Sequence, residues 1–171
     1  EENTVLNKTA VDGVLKNDSD PDGDSIEVTG FTNGTDTASA GGSIAGNGGG
    51  TFTLNSDGSY TFDPGTDFDH LAKGESATTY VTYTISDGEG GTDTATLTIT
   101  VNGENDAPVS TPISSQSDAD SDIINVDISG SFSDPDTSDA LKYSATGLPS
   151  GLAIDPDTGL ITGTIDHSAS Q

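Results

Sequence analysis

The chain of 171 residues has no cysteine, methionine, tryptophan or arginine. Without cysteine no disulfide can staple a thin core, and thiol chemistry drops out of any catalytic reading. Positive charge is scarce: Lys8, Lys16, Lys73 and Lys142 stand against 29 acids, for a formal charge of -25. Such a surface repels phosphate backbones and anionic lipid, so nucleic acid is excluded as a partner. No stretch is long and apolar enough to span a membrane, which excludes insertion by a helix. The two histidines, His70 and His167, sit in no spacing that builds a zinc site or pairs a nucleophile with a base. Hydrophobic residues make up 29% and aromatics 5% of the chain, close to the composition of disordered polypeptide. The chain opens on EENTVL and stops in mid-pattern, so it reads as an internal piece of a longer polypeptide.

The few apolar residues are nevertheless placed with period-two alternation, which predicts folded strands. In Thr92 to Val101 the threonines 94, 96, 98 and 100 share one face, and Ala95, Leu97, Ile99 and Val101 share the other. This is the pattern of a half-buried antiparallel strand. Val81, Tyr83 and Ile85 repeat it upstream, with the glycine-rich SDGEGG as the connecting turn. Further strands are predicted at Gly50 to Leu54, Ser59 to Phe62 and Ser25 to Thr29, the first two joined by the hairpin signal NSDG. Phe52, Tyr60, Phe62, Tyr80 and Tyr83 fall in strand patterns that predict core positions. A single helical turn is expected around Phe68 to Lys73. The class is therefore all-β: an antiparallel β-sandwich of about 100 residues, with the first domain drawn as 1–104.

After NDAP, Pro108 stiffens the connection and alternation restarts. The second domain, 105–171, has predicted strands at Pro108 to Ile113, Ile123 to Ser129, Ala140 to Thr146, Gly151 to Asp155 and Leu160 to Ile165. It reads as an incomplete β-sandwich that lacks its last hairpin, the counterpart of Val81 to Val101. Either the domain is cut, or an insertion after Gln171, favoured at exposed tips such as HSASQ, separates its two halves.

Four acidic runs recur where strands should end: NDSDPDGD (Asn17 to Asp24), SDGEGGTD (Ser86 to Asp93), NGENDAP (Asn102 to Pro108) and SDPDTSD (Ser133 to Asp139). Carboxylates at alternating positions around Gly or Pro are what a hard divalent cation needs to collect roughly six to eight oxygen ligands from a tight bend. With no disulfide, a bound cation is the remaining staple for a loop-rich domain. The competing account is a solvated turn, because turns select the same residues. Crowding favours a cation for Asp18 to Asp24 and for Asp134 and Asp136, since unscreened carboxylates repel one another. For Asp155 and Asp157 in DPDTG the hairpin turn suffices, with Gly159 at positive φ. Asp118, Asp120 and Asp122 in SDADSD stand between the two readings. DSDPDG opens like an EF-hand loop, but Thr29 replaces the bidentate glutamate at the twelfth position and no helix flanks it.

Two stretches of the first domain carry a family likeness. GSYTFDPG, FDHLAKGE and YTISDGEGGTDTATLTITVNGENDAPV resemble VCBS repeats, and NTVLNKTAVDGVLKNDSDPDGDSIEV resembles tandem bacterial cadherin-like repeats. FSDPDTSDALKYSATGLPSGLAIDPDTGLITGTI is similar to the dystroglycan-type cadherin-like, or Ig-like, repeats. The resemblance implies an Ig/cadherin-like sandwich followed by a second, incomplete one. It further implies large secreted bacterial surface proteins of the RTX adhesin kind, active in cell adhesion and biofilm, whose modules bind calcium at their junctions.

On a cadherin-like strand order, Glu2, Asp18, Asp20, Asp22, Asp24, Asp87 and Asp93 gather at one end of the first domain. Glu75, Asn102, Glu104, Asn105 and Asp106 gather at the other, with Asp134, Asp136 and Asp139 across the joint. NGENDAP departs from the DxNDNxP run of eukaryotic cadherins. The expected cofactor is therefore Ca2+, as several ions at domain ends. The expected partners are neighbouring repeats of the same polypeptide, with any host-cell or glycan ligand bound through other domains, and the chain is expected to be monomeric, non-catalytic and extracellular. The alternative reading is a split scaffold that presents an inserted ligand-binding domain at an adhesin tip. Rows of threonine suggest a flat recognition face, but threonine is favoured on any exposed strand face and these rows follow no fixed repeat.

Overall fold

Period-two alternation becomes cross-strand pairing wherever an apolar face can be covered. The computed structural model describes residues 1–166, and the chain divides into two compact units, Glu1–Asn105 and Asp106–Gln171. The first holds β1 (Leu6–Lys8), β2 (Glu27–Thr32), β3 (Thr37–Ser39), β4 (Ser43–Ala45), β5 (Thr51–Leu54), β6 (Tyr60–Asp63), β7 (Ser76–Ser86) and β8 (Thr92–Asn102). They form two antiparallel sheets, in the orders β1-β6-β5-β4 and β3-β2-β7-β8. The short β1, β3 and β4 carry too little alternation to be read from sequence and exist through their neighbours. Two turns of 3-10 helix, Ala10–Asp12 and Val14–Asn17, follow β1 without a helical pattern in the sequence, while the helical turn expected near Phe68 is a run of simple turns.

Core side chains come from both sheets: Phe52, Leu54 and Phe62 from one, Val28, Phe31, Val81, Tyr83 and Val101 from the other. Phe52 and Phe62 are cross-strand neighbours with ring centroids 4.8 Å apart, and each such buried side chain contributes roughly 1.5–3 kcal/mol. The longest pairing is β7 with β8, from Ser76 opposite Asn102 to Ser86 opposite Thr92. Thr79, Val81 and Tyr83 point inward on β7 and are buried. Period two then forces Tyr80 outward, and it is 39% exposed, so its expected core position is corrected. The NSDG turn forms as expected, with Asn55 N bonded to Ser59 O at 2.9 Å and Gly58 at φ 82.

The second unit holds β9 (Val109–Ser110), β10 (Ile123–Asp127), β11 (Phe132–Ser133), β12 (Leu152–Ile154) and β13 (Leu160–Thr164). Its sheets are β10-β13-β12 and a minimal β11-β9 pair. Two expectations are corrected. The strand predicted at Pro108 to Ile113 shrinks to two residues, and Ala140 to Thr146 forms no strand although its alternation is clear. A strand is defined by its neighbour, and this segment has none to pair with. Tyr143 instead packs edge-on against Phe132, ring centroids 5.8 Å apart. The family architecture is nonetheless the expected one, an all-β chain of antiparallel sheets.

Candidate metal centre

The β7–β8 turn brings two distant acidic runs together. Asp20, Asp87 and Asp93 line one cavity of about 330 Å³ with Ser19, Ser86 and Gly91. Their carboxylates are largely engaged by their own loops. Asp20 Oδ1 accepts from the amides of Asp22 at 2.8 Å and Asp24 at 3.2 Å. Asp87 Oδ1 accepts from the amides of Glu89, Gly90 and Gly91, and these bonds, Glu89's first, hold its carboxyl below the usual range. Asp93 Oδ1 accepts from Thr94 N. Asp18 turns toward the core, where its Oδ2 accepts from the Tyr83 hydroxyl at 3.0 Å. Burial, and then the Asp18 carboxylate, push the Tyr83 phenol up to about 12. Sequence could place Tyr83 on the inward face of its strand, but not the loop that delivers Asp18 to it.

Glu2 is not at this end. Its amide donates to Asn102 O at 3.1 Å, and its Oε1 accepts from Glu104 N at 2.9 Å. Asn102 and the Asp87–Asp93 turn lie at opposite ends of β8, roughly 33 Å apart for an eleven-residue strand. The grouping of Glu2 with Asp18 to Asp24 is therefore corrected: antiparallel pairing of β1 with β6 starts the chain at the Asn102 end. Glu2 is completely buried there. Glu75 shares this end, its Oε2 accepting from Ala72 N and its carbonyl from Gly103 N, both at 3.0 Å. Only glycine fits at 103, since a Cβ would lie 2.2 Å from Leu71 O. Glu104, Asn105, Glu1 and Lys73 line a cavity of about 430 Å³ alongside.

In the second unit Asp136 is 1% exposed. Its Oδ2 accepts from Asp106 N at 2.9 Å, its amide donates to Asp134 Oδ1 at 3.1 Å, and its carbonyl accepts from Asp139 N at 3.0 Å. Thus the run Asp134 to Asp139 closes on Asp106. The remaining carboxylate oxygen, Asp136 Oδ1, is buried with no hydrogen-bond partner. Leaving a buried carboxylate oxygen unsatisfied costs about 1–3 kcal/mol or more, and a hard cation is the ligand that such an oxygen set suits. The residues present thus fit a calcium ion in chemistry. Among the described residues, however, no three Asp, Glu or His side chains converge closely enough to hold a metal by themselves.

The run DPDTG, read as a hairpin turn, behaves as one, and SDADSD, which stood between turn and ligand, contains a turn as well. Asp155 Oδ1 accepts from the amides of Asp157 and Thr158, Gly159 has φ 72, and Asp157 pairs with Lys142. Asp122 Oδ2 closes a turn on Ala119 N at 2.7 Å. His167 and the HSASQ tip lie outside the described residues.

Residues 1–103 match the family model of the bacterial cadherin-like domain, and residues 107–171 match that of the Putative Ig domain. No curated protein matches the chain.

Proposed function

The chain belongs to the bacterial cadherin-like domain family, and from that premise we propose that it is a calcium-stiffened, non-catalytic extender segment of a secreted bacterial surface adhesin. The observation that carries the reading is the buried, unpartnered Oδ1 of Asp136. Asp134 and Asp136 would hold the ion, with Asp106 and Asp139 beside them. Glu2, Glu75 and Glu104 supply the acidic end of the first unit. A bound dication would offset repulsion within a chain of charge -25 and stabilise the folded state by mass action. Neighbouring repeats of the same polypeptide are the partners this role requires, with any ligand bound elsewhere.

The test is a calcium titration by isothermal calorimetry, paired with small-angle scattering with and without chelator. Stoichiometric binding, a stiffer particle in calcium and a higher melting temperature are expected. Absence of binding, or an unchanged envelope and melting temperature, overturns the reading and leaves the acidic runs as turns.

A further inference from the structure

The two sheets of the first unit end in β1, β4, β3 and β8. Three of these edges, β1, β3 and β4, are three residues long, and shortness protects an edge from pairing with another chain. The fourth, β8, has eleven residues. It pairs with β7 in unbroken register on one side and with no strand on the other. It contains no lysine, proline, glycine or bulge, and its one carboxylate, Asp93, is the second residue of the strand. From Thr94 to Asn102, therefore, a chain with 29 acids presents a neutral edge with none of the usual blunting devices.

The bonds at one end of β8 show which of its backbone groups face outward. Gly103 N donates to Glu75 O at 3.0 Å, on the β7 side, and Asn102 O accepts from Glu2 N at 3.1 Å, on the other. Period two then turns the backbone groups of the odd residues toward β7 and those of the even residues toward the open side. On that side Thr94 N is taken by Asp93 Oδ1 and Asn102 O by Glu2. Between them, among the described residues, the N–H and C=O groups of Thr96, Thr98 and Thr100 make no hydrogen bond. All three residues are exposed, and the inward-facing Leu97 and Ile99 are only half-buried. Ile99 also borders an apolar groove of about 470 Å³ with Val5, Leu6 and Phe62. Free backbone groups beside half-covered apolar side chains are the acceptor geometry of strand addition.

We propose that β8 is a self-association edge: two copies of the chain pair β8 with β8, antiparallel, with Thr98 opposite Thr98 on the two-fold axis. A second copy is the occupant because the free set is symmetric about Thr98. Thr96 then meets Thr100 of the second copy, and every free amide finds a free carbonyl, as an isologous contact requires. The same register sets Leu97 opposite Ile99 of the second copy on the inward face. It brings no like charges face to face, because each Asp93 falls outside the paired stretch. The net charge of -25 opposes the approach, so the pair strengthens as salt screens it. The contact is small beside that of a permanent dimer, and the association is reversible. Being antiparallel, it joins chains that run in opposite directions, and it departs from the monomer expected from sequence. No acidic run takes part, so the inference stands apart from calcium binding.

Sedimentation equilibrium and amide hydrogen exchange test it on residues 1–171 in chelator, over a range of protein and salt concentrations. A monomer–dimer equilibrium is expected that moves toward dimer with protein and with salt. Protection of the Thr96, Thr98 and Thr100 amides should rise about tenfold or more as the dimer forms, while the amides of Leu97 and Ile99, which face β7, stay protected throughout. Thr98→Lys puts like charges on the axis and is expected to give a monomer, as is Thr98→Glu. An equimolar mixture of the two variants should dimerise again, because lysine then faces glutamate. Thr98 is exposed and its amide makes no ladder bond, so both variants should fold, and unchanged protection at Phe52 and Val81 checks that they do. Monomer mass under all conditions overturns the proposal, as does dimer mass without protection of Thr96 to Thr100, which would mean docking elsewhere. Protection independent of protein concentration, a Thr98→Lys variant that dimerises like the parent, or a mixture that stays monomeric each overturns it too.

Discussion

The amide of Asp106 donates to Oδ2 of Asp136 at 2.9 Å, while the other oxygen of the same buried carboxylate accepts nothing. One side chain therefore anchors the start of the second unit and keeps a lone pair in reserve. Its energetic sign depends on what else is bound.

Asp136→Asn separates the two roles. The amide keeps an oxygen for Asp106 N and removes a buried charge, so in chelator the variant should be as stable as the parent or more so, by about 1–3 kcal/mol. In calcium the order should reverse, with affinity down at least tenfold by calorimetry. Equal calcium responses in the two proteins would remove Asp136 from the ligand set.

Tyr83→Phe deletes a hydroxyl that donates to Asp18 Oδ2 at 3.0 Å and approaches Val14 O at 3.2 Å. The expected loss is about 1–3 kcal/mol in denaturant unfolding, since a carboxylate partner is left exposed to a dry neighbour. The pH dependence follows from the raised phenol, about 12 against an ordinary 10.0. A raised folded-state value means the stabilisation is complete below about pH 10 and is lost as pH rises toward 12. Tyr83→Phe should flatten that alkaline limb.

Asp87→Ala should loosen the β7–β8 turn without unfolding the sheet. Asp87 Oδ1 gathers three backbone amides, and its carboxyl lies below the ordinary 3.8. A lowered value means the stabilisation is present above about pH 3.8 and is lost as pH falls through the folded-state value. Amides of Glu89 to Gly91 should exchange faster in the variant at neutral pH, and in the parent only in acid. Unchanged exchange at Val81 and Tyr83 confirms a local effect.

Gly163→Ala should selectively destabilise the second unit. Gly163 has φ 138, and a Cβ there would lie 2.0 Å from Gly151 O. Backbone strain alone costs about 1–3 kcal/mol, and the overlap forces β12 and β13 apart. Exchange protection should fall at Ile124 and Ile161 and persist at Phe52 and Val81.

Much of the first unit was legible because its strands are long and carry their own alternation. Thr92 to Val101 needed no partner to be recognised, and NSDG and SDGEGG named their turns through residues that tolerate positive φ. The convergence of Asp20 with Asp87 and Asp93 was also readable, since it follows from the strand order. Glu2 was misplaced for the complementary reason. β1 is three residues long, and nothing in LNK states which end of the sandwich it enters from. Tyr80 lies in the same strand pattern as Val81 and Tyr83, but period two puts it on the opposite face, outward.

By itself the sequence determined the class, the charge, the strands with strong alternation and the family likeness, because each depends on local pattern or on composition. Tertiary structure alone decided which carboxylates are used up by their own loops, that Glu2 is buried against Glu104, and that Asp136 retains a bare oxygen. It also decided that residues 140–146 remain unpaired despite a strand's pattern. Those outcomes depend on neighbours distant in the chain, and a hydrogen bond or a ladder exists only when both partners arrive.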